Sequence, residues 1–176
     1  MDRLLKYFII EPEREYHIRE LAKLTKLSPT TISKYLNEFS RKNILIFRKK
    51  FNHLLFKANN ENPNFRDIKF SYNLRILRES GLIDFLIKEF NHPKAIILFG
   101  SFAKAEDNLN SDIDILIITP IKKEVNLKRF VNILKHKIQL FLHSNKEIDK
   151  MKIKNKELIN NWVNSIRLYG FWEIFK

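Results

Sequence analysis

Cysteine is absent from this chain of 176 residues. No disulfide and no thiolate metal site can therefore contribute to its structure. Acidic side chains are also in short supply: 20 Asp and Glu stand against 33 Lys and Arg, a formal charge of +13. The summed field of such a chain favours polyanions or an anionic membrane surface. The excess is spread over both halves, so charge alone does not say which half meets a polyanion. Long hydrophobic runs are missing. No apolar stretch approaches the roughly 20 residues that a membrane helix needs. The opening Met1-Asp2-Arg3-Leu4-Leu5-Lys6 is interrupted by charge and lacks the small-residue cleavage site of a signal peptide. A cytoplasmic protein without a membrane partner is the expectation. Only three glycines occur, and no repeat or low-complexity tract is visible. What is present is globular in character. Hydrophobic residues make up 44% and aromatics 12%, with 15 Phe, whereas disordered chains are poor in aromatics. The length suits one large domain or two small ones.

The first third reads as three short helices and a hairpin. Leu4, Leu5, Phe8 and Ile9 recur at helical spacing, and Glu11-Pro12 ends that helix. A second helix fits Ile18–Thr25, with Ile18, Leu21, Ala22 and Leu24 facing inward and a turn at Lys26-Leu27-Ser28. In the third, Ser28 takes the N-cap position and Pro29 the first helical position, where a missing N–H costs nothing. Ile32, Tyr35, Leu36 and Phe39 form its inner stripe. Thr30, Thr31, Ser33, Lys34, Asn37 and Arg41 are left facing out. They offer hydroxyls and an amide for base edges and cations for phosphates. Residues 43–47 and 54–56 read as two strands joined by a loop, Arg48-Lys49-Lys50-Phe51-Asn52-His53. No acid occurs between Arg41 and Lys57.

Residues 18–36 resemble the helix-turn-helix of prokaryotic winged-helix regulators, and the resemblance extends over residues 2–58. It implies double-stranded DNA as a partner. The third helix would lie in the major groove, and Arg48, Lys49 and Lys50 of the wing would grip backbone phosphate. It also implies a homodimer that matches a two-fold operator. The alternatives are RNA binding by the same surface and a trihelical bundle that binds a protein or docks on the second domain.

The polar run Asn59-Asn60-Glu61-Asn62-Pro63-Asn64 sets the expected boundary. Residues 1–60 then form the first domain, 61–92 two connecting helices and 93–176 the second domain. Phe65, Ile68, Tyr72 and Ile76 mark the first connecting helix. Ser80-Gly81 breaks it, with Gly81 a left-handed C-terminal residue, and a second helix covers residues 82–90.

The second domain carries the chemical signature. Lys94-Ala95-Ile96-Ile97-Leu98-Phe99 is a buried strand beginning after Pro93, and Gly100-Ser101 follows at once. Asp112-Ile113-Asp114 comes next, leading into Ile115-Leu116-Ile117-Ile118. That run is apolar at both parities, as in a strand covered on both faces. Side chains two apart share a face, so Asp112 and Asp114 project together. Two such carboxylates repel each other and lose solvation. A divalent cation relieves both, and Mg²⁺ favours one or two carboxylates plus phosphate oxygens. Gly100 admits close approach of backbone to a phosphate, and Ser101 supplies an N–H and a hydroxyl.

Leu98-Phe99-Gly100-Ser101-Phe102-Ala103-Lys104 followed by Ser111-Asp112-Ile113-Asp114-Ile115 resembles the polymerase-β-like nucleotidyltransferases, in particular the minimal nucleotidyltransferase group. The similarity covers residues 80–170. The α+β chain would thus join a winged helix-turn-helix to a small mixed sheet with helices. By this resemblance Gly100, Ser101, Lys104 and Ser111 hold ATP or another nucleoside triphosphate. Asp112 and Asp114 ligate two Mg²⁺ ions and carry the catalysis. A nucleoside monophosphate would pass to a protein or RNA acceptor. If the acceptor is a partner toxin, this chain is the antitoxin.

Two departures bear on turnover. The group usually has a third carboxylate on a later strand, and here that strand reads Lys137-Ile138-Gln139-Leu140-Phe141-Leu142-His143. Gln139 takes the third position. Its amide oxygen can ligate Mg²⁺ but cannot act as a base. Ala105 stands where the group has glycine after the basic residue, so that loop must turn without a freely left-handed residue. Two readings stay open: an active transferase, or a DNA-binding transcriptional regulator whose nucleotide domain is catalytically silent. The five histidines show no zinc-ligand spacing. Residues 126–135 are expected as a crossing helix, and Leu158, Ile159, Trp162, Val163 and Ile166 as one further helical stripe ending near Gly170. Trp162 and Trp172 are expected in the core. Lys146, Lys150, Lys152, Lys154 and Lys156 form a solvated face.

Overall fold

Helix α1 (Asp2–Ile10) stops before Pro12 in a computed structural model that describes residues 2–173. A two-residue strand β1 (Tyr16–His17) leads into α2 (Ile18–Thr25) and α3 (Pro29–Arg41). Ser28 caps α3: its Oγ accepts the N–H of Thr31 at 3.1 Å, with Pro29 in the first turn. In α2 the inner stripe differs from the expectation. Leu24 is 43% exposed, and Thr25 is buried in its stead, its hydroxyl donating to the Leu21 carbonyl at 2.7 Å. Satisfying the hydroxyl within its own helix removes most of the cost of burying it.

The hairpin is longer and tighter than expected. Strands β2 (Leu45–Lys50) and β3 (His53–Ala58) pair through Lys50↔His53, so only Phe51-Asn52 connects them. Both turn residues have positive φ, 45° and 60°, as a two-residue hairpin turn between twisted strands requires. Arg48, Lys49 and Lys50 therefore lie on β2 and not in a loop. The sheet is antiparallel in the order β1-β3-β2. Leu4, Phe8, Tyr16, Leu21, Ile32, Leu36, Phe39 and Phe56 are fully buried within this unit, which runs to Lys69.

The second unit begins at Phe70, within helix α4 (Pro63–Glu79). The buried column of α4 is Phe65, Lys69, Asn73 and Leu77, one residue on from the expected stripe, whose Ile68, Tyr72 and Ile76 are only half-buried. Gly81, at φ 74°, starts α5 (Leu82–Glu89). Then come β4 (Ala95–Phe99), the short α6 (Gly100–Lys104), β5 (Ile113–Ile118), α7 (Lys128–Leu134) and β6 (Ile138–His143). Helices α8 (Asn145–Lys154) and α9 (Lys156–Val163) precede β7 (Ile166–Gly170). Ile166 thus opens a strand and does not extend α9.

The sheet order is β6-β5-β4-β7. The β5–β6 pair is parallel, and α7 lies in its crossover; the other two pairs are antiparallel. Leu82, Leu86, Phe90, Phe102, Phe130 and Leu134 pack on one face, against Ile96, Leu98, Ile113, Ile115 and Ile117. Ile148, Ile159 and Trp162 pack on the other, against Ala95, Ile97, Phe99, Leu116 and Ile118. Each fully buried Ile or Leu contributes about 1.5–3 kcal/mol, so β4 and β5 are the most firmly held strands. Among the described residues no helix is long and apolar enough to cross a membrane.

Candidate functional site

At one end of the four-stranded sheet the packed face opens. Phe99, the last residue of β4, is in register with Asp114 of β5, and Asp114 with Gln139 of β6. Neighbours in register share a face. Phe99, Asp114 and Gln139 therefore form a row, and Leu116–Phe141 and Ile118–His143 follow along the same face. Trp162 of α9 lies over this face, its ring centroid 6.3 Å from that of Phe99 in the first row and 5.3 Å from that of His143 in the last. Gln139 is exposed and Asp114 only half-buried, so the carboxylate end is the uncovered part of a face that elsewhere is core.

Gly100 is bound to this row by two independent constraints. It has φ 74°, and a Cβ placed on it would collide with Oδ2 of Asp114. The Asp114 carboxylate thus lies directly against the Gly100 backbone. Asp112 immediately precedes β5, where the Ile113 N–H donates to the Lys137 carbonyl at 2.8 Å and continues the β5–β6 ladder. Burial pushes the Asp114 carboxyl above its ordinary range, and the charge of Asp112 adds a smaller push in the same direction. Two acids and one amide oxygen at the open end of a sheet suit a hard divalent cation. Among the described residues no group of three or more His, Asp or Glu side chains gathers, and the residue in register with Asp114 on β6 is the neutral Gln139.

The other expected site residues surround this corner. Ser101 lies in the first turn of α6 and Lys104, exposed, in its last. Ser111 is engaged in the turn before Asp112: its Oγ accepts the Asn108 N–H, and its own N–H donates to the Asn108 carbonyl, both at 3.0 Å. Ala105 adopts φ 57°, the conformation a glycine takes at no cost and an alanine only with strain.

Two residues here have no signal in the sequence. Asn73 of α4, itself buried, donates through Nδ2 to Asp107 Oδ1 (2.7 Å) and to the Phe102 carbonyl (3.2 Å). It ties down the segment between α6 and Asp112. His136 approaches the Ser111 carbonyl through Nδ1 at 2.9 Å. A carbonyl only accepts, so Nδ1 carries the proton and Nε2 of the neutral ring is an acceptor. With Ser111, Asp112, Lys135 and Lys137, His136 lines a cavity of about 480 Å³. His143, by contrast, packs on Trp162, and burial followed by the Lys122 charge lowers its pKa. Trp162 is 1% exposed, in the core as expected.

In the first unit, Thr30, Lys34, Asn37 and Arg41 are exposed, and spacings of four, three and four put them on one side of α3. Thr31 and Ser33 are half-buried, and the Thr31 hydroxyl lies 2.8 Å from the Ser28 cap. Arg48 is paired in bidentate fashion with Glu15, at 2.5 and 2.7 Å, which lowers the Glu15 pKa. Lys49 and Lys50 are exposed.

A family model for the nucleotidyltransferase domain matches residues 80–169, just over half of the chain, from the end of α4 into β7. No curated protein and no solved structure gives a match.

Proposed function

Because the chain belongs to the nucleotidyltransferase domain family, we propose that it binds a nucleoside triphosphate with Mg²⁺ at the corner between Gly100 and Asp114 and transfers the nucleoside monophosphate to a protein or RNA hydroxyl, with pyrophosphate as the leaving group. We further propose that its first unit is a winged helix-turn-helix that holds double-stranded DNA. The observation that carries the first part is the Asp114 carboxylate, pressed against the Cα of Gly100 and in register with Gln139.

Asp112 and Asp114 are the residues that would hold the metal, with the Gln139 amide oxygen as a neutral third donor. Bound there, Mg²⁺ supplies charge stabilisation to the phosphate oxygens during in-line displacement. The chain does the rest by positioning. Gly100, lacking a Cβ, leaves the room that the Asp114 carboxylate occupies beside it. The backbone N–H groups and hydroxyl at Gly100-Ser101 orient the triphosphate. Lys104 offsets its charge. Gln139 accepts no proton, so deprotonation of the acceptor gains no help from it.

Three features support the DNA reading. The element order α1-β1-α2-α3-β2-β3 and sheet order β1-β3-β2 suit a helix-turn-helix followed by a wing. Thr30, Lys34, Asn37 and Arg41 make one exposed stripe on α3, and Lys49 and Lys50 extend the cationic surface onto β2. Arg48 contributes less than its charge suggests, since Glu15 already holds it.

Gln139 favours a second reading in which nucleotide binds without turnover and the protein acts as a regulator. Calorimetric titration with ATP and Mg²⁺, repeated on Asp112→Asn, tests the site shared by both readings. Binding that the substitution removes is the expected result, and no heat with the unaltered protein ends both. Label transfer from α-labelled ATP then separates them: a labelled acceptor means an enzyme, and binding without label means a silent site. Duplex binding that falls steeply with added salt is expected of the first unit, and salt-insensitive binding would remove the phosphate-gripping wing.

A further inference from the structure

We infer that Phe51, at the tip of the β2–β3 hairpin, is an aromatic wedge that enters the minor groove of double-stranded DNA and partly unstacks a base step; this rests on the DNA-binding reading above. The turn is two residues long, and both have positive φ. Glycine and asparagine take such positions readily, and Asn52 fits that rule. Phe51, at φ 45°, does not, because a bulky side chain is disfavoured in that region. Strain of this kind persists where structure or function over-determines it. Packing within the unit gives no return for it: Phe51 is 87% exposed, more than any other large apolar side chain among the described residues.

The surroundings of the ring point to what it meets. The Lys50 ammonium stands 5.7 Å from the ring centroid, and Lys49 and His53 are exposed beside it. The chain carries no acid from Arg41 to Lys57. An apolar ring framed by cations complements a partner that is anionic at its rim and flat and apolar within. Duplex DNA is such a partner, with phosphates outside and stacked bases inside. Apolar side chains that enter the minor groove wedge between base steps in this way, and pyrimidine–purine steps open most readily.

The test uses the full chain and a mixed-sequence duplex with 2-aminopurine at a TA step. Binding should brighten the 2-aminopurine. Phe51→Ala should abolish that response and weaken binding about 10-fold, the loss seen when one base–aromatic stack is removed, with the slope of affinity against salt unchanged. Lys49→Ala with Lys50→Ala should do the reverse, flattening the slope by about 2 while the brightening survives at low salt. Phe51→Gly suits the turn better, so it should lose the brightening and melt no lower than the unaltered protein. That variant separates wedging from misfolding. Salt-dependent duplex binding with silent 2-aminopurine and unchanged affinity in Phe51→Ala overturns the wedge and leaves DNA binding intact. Absence of any duplex binding by the unaltered protein overturns both. A Phe51→Ala effect confined to oligomeric state, or to binding of anionic phospholipid vesicles, assigns the ring to another partner and overturns the wedge as well.

Discussion

Five of the six residues of β5 are buried, and five of the six in β2 are exposed. Both strands belong to antiparallel pairs and both carry residues proposed to function in their unit, yet they hold them by opposite means. β5 is clamped between two apolar layers, so Asp114 is set by packing and its substitution disturbs chemistry and stability together. Beyond Arg48, which Glu15 holds, the outer end of β2 pairs only with its hairpin partner, and its lysines are set by little more than the backbone. Substitutions there should alter binding and salt dependence and leave the fold nearly unmoved.

The sharpest way to break that contrast is Asp112→Asn. Loss of the metal's stabilisation should reduce nucleotide transfer about 1,000-fold or more, since such charge stabilisation is worth several kcal/mol, as read by label incorporation from α-labelled ATP. Asp114→Asn should do the same and yet raise the metal-free melting temperature. Burial and the Asp112 charge hold the Asp114 carboxyl above its ordinary pKa, so its ionised form opposes folding. An unchanged or lower melting temperature would show that the pair is not strained without metal.

Gly100→Ala comes next. Strain at positive φ and collision with Asp114 should together cost about 3 kcal/mol in denaturant unfolding and remove ATP binding. Ala105→Gly, in the same loop but with the strain reversed, should stabilise by about 1 kcal/mol. Gln139→Glu then sharpens the comparison within the site. The side chain keeps its reach and gains a charge and a base, so transfer should rise about 100-fold. The metal-free protein should melt lower, and added Mg²⁺ should restore it. A rate that does not move would remove Gln139 from the third position.

On β2, Lys49→Ala should change unfolding free energy by no more than about 0.5 kcal/mol while flattening the salt dependence of duplex binding by about 1. The smallest effect concerns Glu147, which caps α8 and is held down to about 2 by Lys122, by the Ser144 N–H and by the Ser144 hydroxyl. Its folded pKa lies below the ordinary 4.5, so its contribution is present above that value and fades as pH falls toward 2. Thermal melts should therefore show Glu147→Gln less stable at neutral pH, with the gap closing across that window.

Much of the local architecture was legible in the residues. The limits of α2, the Ser28-Pro29 start of α3 and the Gly100-Ser101 turn all depend on neighbours a few positions apart. Sequence and structure part where a residue answers to something distant. Leu24 yields its inner place to Thr25, Ile166 leaves its helix to open β7 and pair with Leu98 of β4, and the α4 stripe rotates so that Asn73 can reach Asp107. The hairpin loop is shorter than composition suggests: Arg48, Lys49 and Lys50 have loop-like chemistry, yet cross-strand hydrogen bonds extend β2 through them.

By itself the sequence determined the periodic segments, the basic charge and the paired acids two residues apart at the start of a strand that follows a glycine-serine turn, because spacing along a backbone of known geometry sets which side chains share a face. Tertiary structure alone decided the strand register that sets Gln139 against Asp114, that Asn73 and His136 brace the approach to Asp112, that Glu15 holds Arg48 and that Phe51 and Asn52 make the whole hairpin turn. Those relations depend on strand register and on contacts between segments distant in the chain. The burial of both faces of the second sheet and the pairing of the hairpin select them, and no local propensity encodes either.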